Sequence, residues 1–229
     1  MERESLQRIL NKEFPWGTTF AQRNNFESGY SIAEGNFINK YFKSKPSQNI
    51  LVIGSGNGRE ARPISYFGCL TVCIDTSFVY LKSGENLFSA EGIKNINFIQ
   101  ADMMYLPFVK ESFDFVFSSL YSFADQHRFS ILRDIHKILH INGLVLLCSL
   151  TDLYKIKYKS AENCKGIIFF TNQEQLSKEV SSCGFELIES QTDPLRPEYH
   201  FSILRACQIQ AFKNDVWLNS NSSIQKSLA

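Results

Sequence analysis

Three glycines at alternating positions are the residues whose spacing first points to ligand chemistry. Gly54, Gly56 and Gly58 lie in "NILVIGSGNGREARPIS", between an apolar run and a charged, helix-competent segment. Glycines let the backbone approach a ligand closely, and the N-terminus of the next helix presents partly positive N–H groups. Asp75 follows 21 positions after Gly54, about the spacing at which a carboxylate binds ribose hydroxyls. The pattern predicts a site for a ligand that carries a nucleoside.

Two common phosphate-binding motifs do not match this turn. A Walker loop requires a lysine after its glycines, and "GSGNGRE" has none. The dinucleotide fingerprint G-x-G-x-x-G requires a glycine where this chain has Arg59, and the third glycine comes one position early, at Gly58. The spacing therefore indicates another nucleoside ligand, with a purely structural tight turn as the alternative.

Strand-like and helix-like segments alternate after residue 49, and they must position this turn. The strand-like runs are predicted at 50–53, 70–74, 96–100, 113–120 and 143–150. The helix-like stretches between them are predicted near 59–67, 77–90 and 127–140. This order implies a mostly parallel sheet with helices on both faces, so the predicted fold class is α/β. In such a sheet the ligand lies beyond the carboxyl ends of the strands, where the glycine turn falls.

Local patterns predict the elements at either end of this sheet. Ser31 and Glu34 have capping-box spacing and predict a helix start. Gly184 is expected to end a later helix. The strand-like runs at 185–190 and 201–209 have no helix between them, so they are predicted to pair as an antiparallel hairpin that closes the sheet.

The composition indicates one globular unit without a dominant charge. The chain has 229 residues, 44% of them hydrophobic, with 24 Lys and Arg against 23 Asp and Glu. This balance does not point to nucleic acid or a membrane as the main partner, although a local basic patch is not excluded. No run approaches the roughly 18 apolar residues of a spanning helix, and "MERESLQRIL" lacks the apolar core of a signal peptide. The six cysteines form no C-x-x-C pair, so we expect free thiols, a reduced compartment and a cytoplasmic location.

Four motifs in order resemble the class I S-adenosylmethionine-dependent methyltransferases, and more closely the group called type 11. "ILVIGSGNGREA" and "VCIDTS" match the first two motifs of that family. "QADMMYLPFVKESFDFVFSS" and "LRDIHKILHINGLVLLCS" resemble the two that follow. The resemblance covers about residues 48–150 well and 167–208 in outline. It implies a Rossmann-like, seven-stranded, mostly parallel sheet, with S-adenosyl-L-methionine as cofactor and S-adenosyl-L-homocysteine as product.

The resemblance also implies which residues contact the cofactor. The glycines would wrap its amino-acid part, Asp75 would bind the ribose hydroxyls, Asp102 would contact the adenine amine, and Met103 would pack at the ring. The expected cofactor-binding residues are Gly54, Ser55, Gly56, Gly58, Asp75, Thr76, Asp102, Met103 and Ser118. No metal site is predicted.

One position departs from the family pattern. The family usually has an acidic residue two positions before the first glycine, and this chain has Val52 there. That carboxylate normally helps to fix the methionine amine of the cofactor. Glu60 or a residue of the N-terminal segment is the candidate replacement.

Candidate acceptor-binding residues lie in segments that follow strands. Methyl transfer is an in-line displacement, so positioning rather than a dedicated covalent catalyst is expected. His127 and Tyr121 are the candidates for catalysis, with a solvent-exposed histidine at a helix start as the alternative for His127. Tyr30, Tyr121 and His200 are the candidates for substrate binding. His136 and His140 lie away from the ligand edge and are interpreted as structural.

The resemblance predicts an enzyme that transfers a methyl group to oxygen or nitrogen of a small molecule. Three segments are predicted: an N-terminal helical lid (1–46), a Rossmann-like methyltransferase domain (47–210) and a polar C-terminal tail (211–229). The aromatic residues of the first segment would be either lid residues or core anchors: Trp16, Phe20, Phe26 and Tyr30. The sequence does not predict an oligomeric state.

The sequence is also compatible with other functions. A lysine-rich stretch could receive an anionic or aromatic substrate or an RNA backbone, or be a solvated insertion; its lysines are Lys155, Lys157, Lys159 and Lys165. Methylation of RNA or of a protein is therefore an alternative. Val52 motivates another, a catalytically silent partner protein that binds the cofactor. An NAD-dependent oxidoreductase fits the glycine spacing less well.

Overall fold

Seven strands form one mixed sheet in the computed structural model, which describes residues 31–41, 48–121, 125–151, 153 and 173–208. The strands are β1 (Asn49–Ile53), β2 (Leu70–Asp75), β3 (Ile96–Gln100), β4 (Phe113–Tyr121), β5 (Leu139–Leu150), β6 (Phe185–Thr192) and β7 (Tyr199–Ala206). Their order in the sheet is β3-β2-β1-β4-β5-β7-β6. Strands β1 to β5 pair in parallel, whereas β7 is antiparallel to β5 and β6. The predicted Rossmann-like sheet with an antiparallel C-terminal hairpin is confirmed.

Helices connect or flank these strands. They are α1 (Ile32–Tyr41), α2 (Ala61–Ser65), α3 (Phe78–Ala90), α4 (Asp125–Ile138) and α5 (Gln173–Ser182), with a 3₁₀ turn at Met103–Tyr105. The predicted capping box starts α1: the Ser31 N–H donates to Glu34 Oε2 (2.8 Å), and the Glu34 N–H donates to Ser31 Oγ (3.3 Å). Gly184 follows α5 with φ +91°, the left-handed conformation expected after a helix end.

The sheet is buried on both faces, as the apolar runs of its central strands require. On the face called here the α1 face, Phe37 of α1 and Ile64 of α2 pack against Ile50 and Val52 of β1. On the opposite face, called the α4 face, residues of α4 and α5 pack against Leu51 and Ile53 of β1. These helix residues include Leu132, Ile135, Leu176 and Val180. Helix α1 is therefore part of the main core.

Several predicted boundaries differ from the structure, most of all at the start of β5 and in α2. The predicted helix at 127–140 ends at Ile138, and β5 begins at Leu139 rather than at residue 143, because Leu139 already pairs with Phe113. The next pair joins Phe115 to Leu144, and Asn142 between them has φ +65°, so the predicted Asn-Gly turn is an irregularity within β5. Helix α2 is shorter than the predicted 59–67, since the glycine turn extends into its first positions.

Several predictions lie outside the described residues. They concern the segments 1–30 and 211–229, Tyr30 and the three other N-terminal aromatic residues, and the four lysines of the lysine-rich stretch. The lid and tail boundaries thus stay predictions. In the described segments, no helix has the length and apolar character needed to cross a membrane.

Candidate functional site

The glycine turn lies at the carboxyl ends of β1 and β2. Gly54, Gly56 and Gly58 have φ of +68°, +54° and +91°, in the left-handed region where residues with a Cβ are strained. The N–H groups of Gly54 and Ser55 both donate to the Ile74 carbonyl, at 2.9 and 3.0 Å, which ties the turn to β2. A Cβ added at Gly56 would meet nothing within 4 Å. The backbone of the turn is therefore open to a ligand on that side.

The Asp75 carboxylate connects this turn to helix α3. Its Oδ2 accepts a hydrogen bond from the Gly56 N–H (2.9 Å), and its Oδ1 accepts one from the Ser77 N–H (2.8 Å). Each carboxylate oxygen has a second lone pair, so both can also accept a hydrogen bond from a ligand hydroxyl. The carboxylate is thus held at the turn before any ligand binds.

The end of β3 brings a second carboxylate to the same edge. The Ala101 N–H donates to the Asp75 carbonyl (3.1 Å), so the chain leaves β3 beside β2. Asp102 Oδ1 then accepts from the Met104 N–H (2.9 Å) and caps the 3₁₀ turn. Met103 is half-buried against the α4-face core. Ser118, buried on β4, pairs with Ile53 at the base of the glycine turn.

Together these residues present an open backbone and two carboxylates, which suit the hydroxyl and amine groups of a nucleoside. An open glycine backbone, the Asp75 carboxylate and the Asp102 carboxylate lie in this order along the ends of β1, β2 and β3. Eight of the nine expected cofactor residues lie at or after the carboxyl ends of β1, β2 and β3, and Ser118 lies within β4 beside Ile53. Their contacts with a cofactor stay predictions.

The acceptor-side candidates occupy the other half of this edge. Residues Tyr121, Ser149, His200 and Thr192 form a row across four neighbouring strands, because each is the register partner of the next. Tyr121 thus belongs to β4 and not to the loop after it, since β4 regains pairing with β5 after an irregularity. His127 is half-buried in the first turn of α4. Of the candidates within the described residues, Tyr121 and His200 belong to this row and His127 does not.

His200 has an unusual environment within the row. His200 Nδ1 and Thr192 Oγ1 are 2.9 Å apart and form a hydrogen bond. Three nearby side-chain atoms are buried without a hydrogen-bond partner in the described part of the chain: His200 Nε2, Ser190 Oγ and Ser202 Oγ. Burial lowers the pKa of His200, so the imidazole is neutral over most of the physiological range. Ser149, Thr192, Ser190 and Ser202 were not predicted, because isolated hydroxyls in strands carry no local signal.

The other two histidines lie away from the ligand edge, as expected, and His136 has a structural role. His136 Nε2 forms a hydrogen bond of 2.9 Å with the Cys207 carbonyl, and its ring packs edge-on against Phe185. His140 is exposed on β5, away from the ligand edge.

A buried ionic cluster adjoins the glycine turn and was not predicted as a unit. Arg59 donates to both carboxylate oxygens of Glu34, at 3.0 and 3.1 Å, and also to Glu60 Oε1. The exposed fractions of Glu34 and Glu60 are 2% and 6%. Burial raises the pKa of the Glu60 carboxyl, Arg59 opposes this rise, and the charge of Glu34 adds to it. Glu34 is 25 residues from Arg59, so its sequence signal was that of a capping residue alone.

Comparisons with known proteins agree with this geometry. A family model described as a methyltransferase domain matches residues 50–143. Cycloartenol-C-24-methyltransferase of Arabidopsis thaliana is 28% identical over 136 residues, which are 56% of this chain and 40% of that protein. The chain therefore spans less than half the length of this curated relative.

Solved structures share the fold. The complex between the Haloferax volcanii Trm112 methyltransferase activator and a methyltransferase gives a TM-score of 0.71 at 11% identity, covering 86% of this chain and 98% of that chain. An S-adenosylmethionine-dependent methyltransferase from Mesorhizobium loti gives 0.62 at 18% identity, covering 76% and 97%. Residues 50–143 thus match a methyltransferase domain, and the described chain has the fold of solved S-adenosylmethionine-dependent methyltransferases.

Proposed function

We propose that this protein transfers a methyl group from S-adenosylmethionine to oxygen or nitrogen of a small molecule. The observation that carries the proposal is the open glycine turn, whose Gly56 N–H is bound by the Asp75 carboxylate at the edge of a methyltransferase domain. When bound, the cofactor supplies an electrophilic methyl group on a sulfonium. The protein has to bind the cofactor and the acceptor, orient them for the transfer, and exclude water from the site.

Each half of the edge has its own role in this proposal. The glycine turn holds the amino-acid part of the cofactor, Asp75 binds the ribose hydroxyls, Asp102 the adenine amine, and Met103 packs at the ring. The acceptor lies over β4, β5, β7 and β6, where Tyr121 and His200 contact it. His200, neutral and bonded through Nδ1, offers Nε2 to a proton of the acceptor. His127, at the start of α4, is the other candidate for that proton.

A small-molecule acceptor is favoured by two observations. The charge of the chain is nearly balanced, so an anionic macromolecule has little net attraction to it. The Arabidopsis relative is named for a small molecule, cycloartenol. We expect the protein to act in the cytoplasm, without a membrane partner.

The cofactor assignment is tested by binding to the Asp75→Ala variant. Removing the carboxylate should weaken S-adenosylhomocysteine binding by about 10- to 100-fold, since hydrogen bonds to charged groups contribute roughly 1.5–3 kcal/mol. Isothermal titration calorimetry measures the dissociation constants. Asp134→Ala is the matched control, because Asp134 pairs only with Lys137 at the surface among the contacts described. Unchanged affinity in Asp75→Ala would show that the site lies elsewhere.

Two observations favour a second function. The Haloferax neighbour is in a complex with an activator protein, and Val52 removes a usual cofactor contact. The alternative is therefore a methyltransferase of RNA or protein, or a silent cofactor-binding subunit. Thermal unfolding with S-adenosylmethionine, S-adenosylhomocysteine, NAD and ATP separates these cases from a protein that binds none of the four compounds. A ligand at 100 times its Kd raises the free energy of unfolding by about 2.7 kcal/mol. A shift with the first two compounds, without methylation of any small molecule in a screen, would support the alternative.

A further inference from the structure

His200 is held by both strands that flank it at the acceptor half of the ligand edge. The Ser149 hydroxyl of β5 donates to the His200 carbonyl at 3.3 Å. On the other side, Thr192 Oγ1 of β6 lies 2.9 Å from Nδ1 of the His200 ring. His200 is the register partner of both residues, so these contacts come from its direct neighbours in the sheet. The backbone and the ring of His200 are therefore fixed separately.

The two ring nitrogens of His200 have different surroundings. Nδ1 has Thr192 as its hydrogen-bond partner, whereas Nε2 is buried and has no partner in the described part of the chain. In a neutral imidazole one nitrogen carries the proton and the other has a free lone pair. A buried N–H without a partner is rarer in native proteins than an acceptor without one. The favoured tautomer thus has its proton on Nδ1, which donates to Thr192 Oγ1, and a free lone pair on Nε2.

Two hydroxyls beside His200 are an independent observation about the ligand. Ser202 lies two positions after His200 on β7, so both side chains are on the α4 face, as that of Leu204 is. Ser190 is the register partner of Ser202 on β6. Ser202 is fully buried, and within the described segments neither hydroxyl has a hydrogen-bond partner. Buried polar groups in native proteins are almost always paired, so this place suits a molecule with hydroxyl groups better than a hydrocarbon.

A free lone pair on Nε2 is suited to one class of acceptor atom. A hydroxyl keeps its proton until it attacks the methyl group, so a base that takes this proton in the transition state raises the rate. A neutral amine attacks with its own lone pair and can lose its proton to water afterwards. A base that is already positioned therefore favours oxygen over nitrogen as the acceptor atom.

We propose that Thr192 is a positioning residue that fixes His200 with its proton on Nδ1, and that His200 Nε2 takes the proton of an acceptor hydroxyl. The hydroxyl oxygen forms a bond to the methyl carbon as the bond from that carbon to sulfur breaks and leaves its electron pair on sulfur. The hydroxyl proton passes to Nε2, and the resulting imidazolium then releases it to water. Ser190 and Ser202 bind a further hydroxyl group of the same molecule. This inference narrows the acceptor and rests on the proposed function.

The tautomer can be measured in the protein without any ligand. In protein labelled with ¹⁵N-histidine, long-range ¹H–¹⁵N correlations distinguish a protonated ring nitrogen from one with a free lone pair. The chain has four histidines, so the set of signals that is lost in His200→Gln identifies this ring. At about pH 7.5, above the ordinary pKa of histidine, we expect a proton on Nδ1 and none on Nε2. A proton on Nε2 would overturn the inference.

Three variants separate positioning from a merely structural role. Thr192→Val removes an exposed hydroxyl and keeps the shape of the side chain, so we expect a folded protein whose ring proton is shared between both nitrogens. Thr192→Ser restores a hydroxyl and should restore the original tautomer. Thr151→Val is the matched control, because the Thr151 hydroxyl donates to the Pro197 carbonyl and not to a histidine. An unchanged tautomer in Thr192→Val would contradict the role of Thr192.

The acceptor class is tested with two probes that differ only in the acceptor atom, resorcinol and meta-phenylenediamine. With S-adenosylmethionine labelled in its methyl group, we expect transfer to resorcinol, a loss of about tenfold or more in Thr192→Val, and recovery in Thr192→Ser. General bases typically contribute about 10²- to 10⁴-fold to a rate. Methylation of the diamine alone, or equal rates for the wild type and Thr192→Val, would overturn the choice of oxygen.

Cofactor binding distinguishes failure of this inference from failure of the proposed function. Calorimetry should give the same affinity for S-adenosylhomocysteine in the wild type and in Thr192→Val, because Thr192 lies on β6, away from the glycine turn. A wild-type protein that does not bind this compound would contradict the proposed function. A tautomer with the proton on Nε2, in a protein that does bind it, would contradict the inference alone.

Discussion

At the scale of single residues, Asp75 illustrates what its sequence position predicted and what it did not. Its distance from the glycines predicted a carboxylate at the end of β2, and the structure places it there. Its bonds to the Gly56 and Ser77 N–H groups were not predicted, because they depend on left-handed turn geometry. Glu60 was a candidate by proximity in sequence, but Glu34, which also accepts hydrogen bonds from Arg59, was recognisable only as a helix cap. Long-range ion pairs leave no local pattern.

The His200 imidazole makes the stability of the protein depend on pH. Burial lowers its pKa in the folded state, so between that value and about 6.5 the unfolded chain binds more protons than the folded one. The stability from this group is thus complete above about pH 6.5 and is lost as the pH falls. We expect His200→Gln to reduce the slope of unfolding free energy against pH between 5 and 6.5, measured by urea denaturation.

The control for this prediction is His140→Gln, which changes an exposed histidine on the neighbouring strand β5. That variant should keep the slope of the wild-type protein. A His200→Gln slope equal to that of the wild type would show that His200 protonates equally well in both states.

At the scale of elements, the strands were predicted better than the helix–strand junction before β5. Apolar runs bounded by turn residues predicted the first and last residues of β1 to β4 to within about one position. The start of β5 was missed because "LHIN" continues the helical pattern of α4, while pairing of Leu139 with Phe113 converts it to strand. Tertiary pairing overrides local propensity at such a junction.

Helix α3 contacts the glycine turn through Gly84. A Cβ at this position would lie 2.7 Å from the Asn57 carbonyl oxygen and 2.6 Å from the Phe98 ring. Gly84→Ala gains about 1 kcal/mol of helix propensity, but overpacking against a backbone atom costs about 1–3 kcal/mol. We expect lower stability in urea and weaker S-adenosylhomocysteine binding, because α3 must move away from the turn. Ser83→Ala, exposed in the same helix, should show neither effect.

A buried ion pair joins α4 to α5. Arg128 and Glu179 are 1% and 6% exposed, and Arg128 Nε donates to Glu179 Oε2 at 3.0 Å. Arg128→Met leaves the Glu179 carboxylate buried without this partner and should cost about 3–5 kcal/mol of unfolding free energy in urea. The double variant Arg128→Met/Glu179→Leu should be more stable than the single one. The reverse order would mean that the carboxylate finds another cation or water.

At the scale of the whole molecule, α1 connects the two halves of the ligand edge. Glu34 binds Arg59 of the glycine turn, while the Ala33 N–H donates to Asp193 Oδ2 (3.0 Å) in the connection between β6 and β7. The alternation of strands and helices predicted the sheet around this edge. It did not predict the bridge, because Ala33 and Asp193 are 160 residues apart and only the fold brings them together. The cofactor half and the acceptor half are thus attached to the same helix.

The position of β7 has a consequence for synthesis on the ribosome. β7 is the last strand in the described chain, yet it is inserted between β5 and β6. β6 pairs with β7 and with no other described strand, so a nascent chain that has already exposed β6 still lacks the strand with which β6 pairs in the fold. At about 5–20 residues per second, β6 waits roughly a second or more for its partner. During that interval the open edge of β5 is a natural substrate for chaperones that shield unpaired strands.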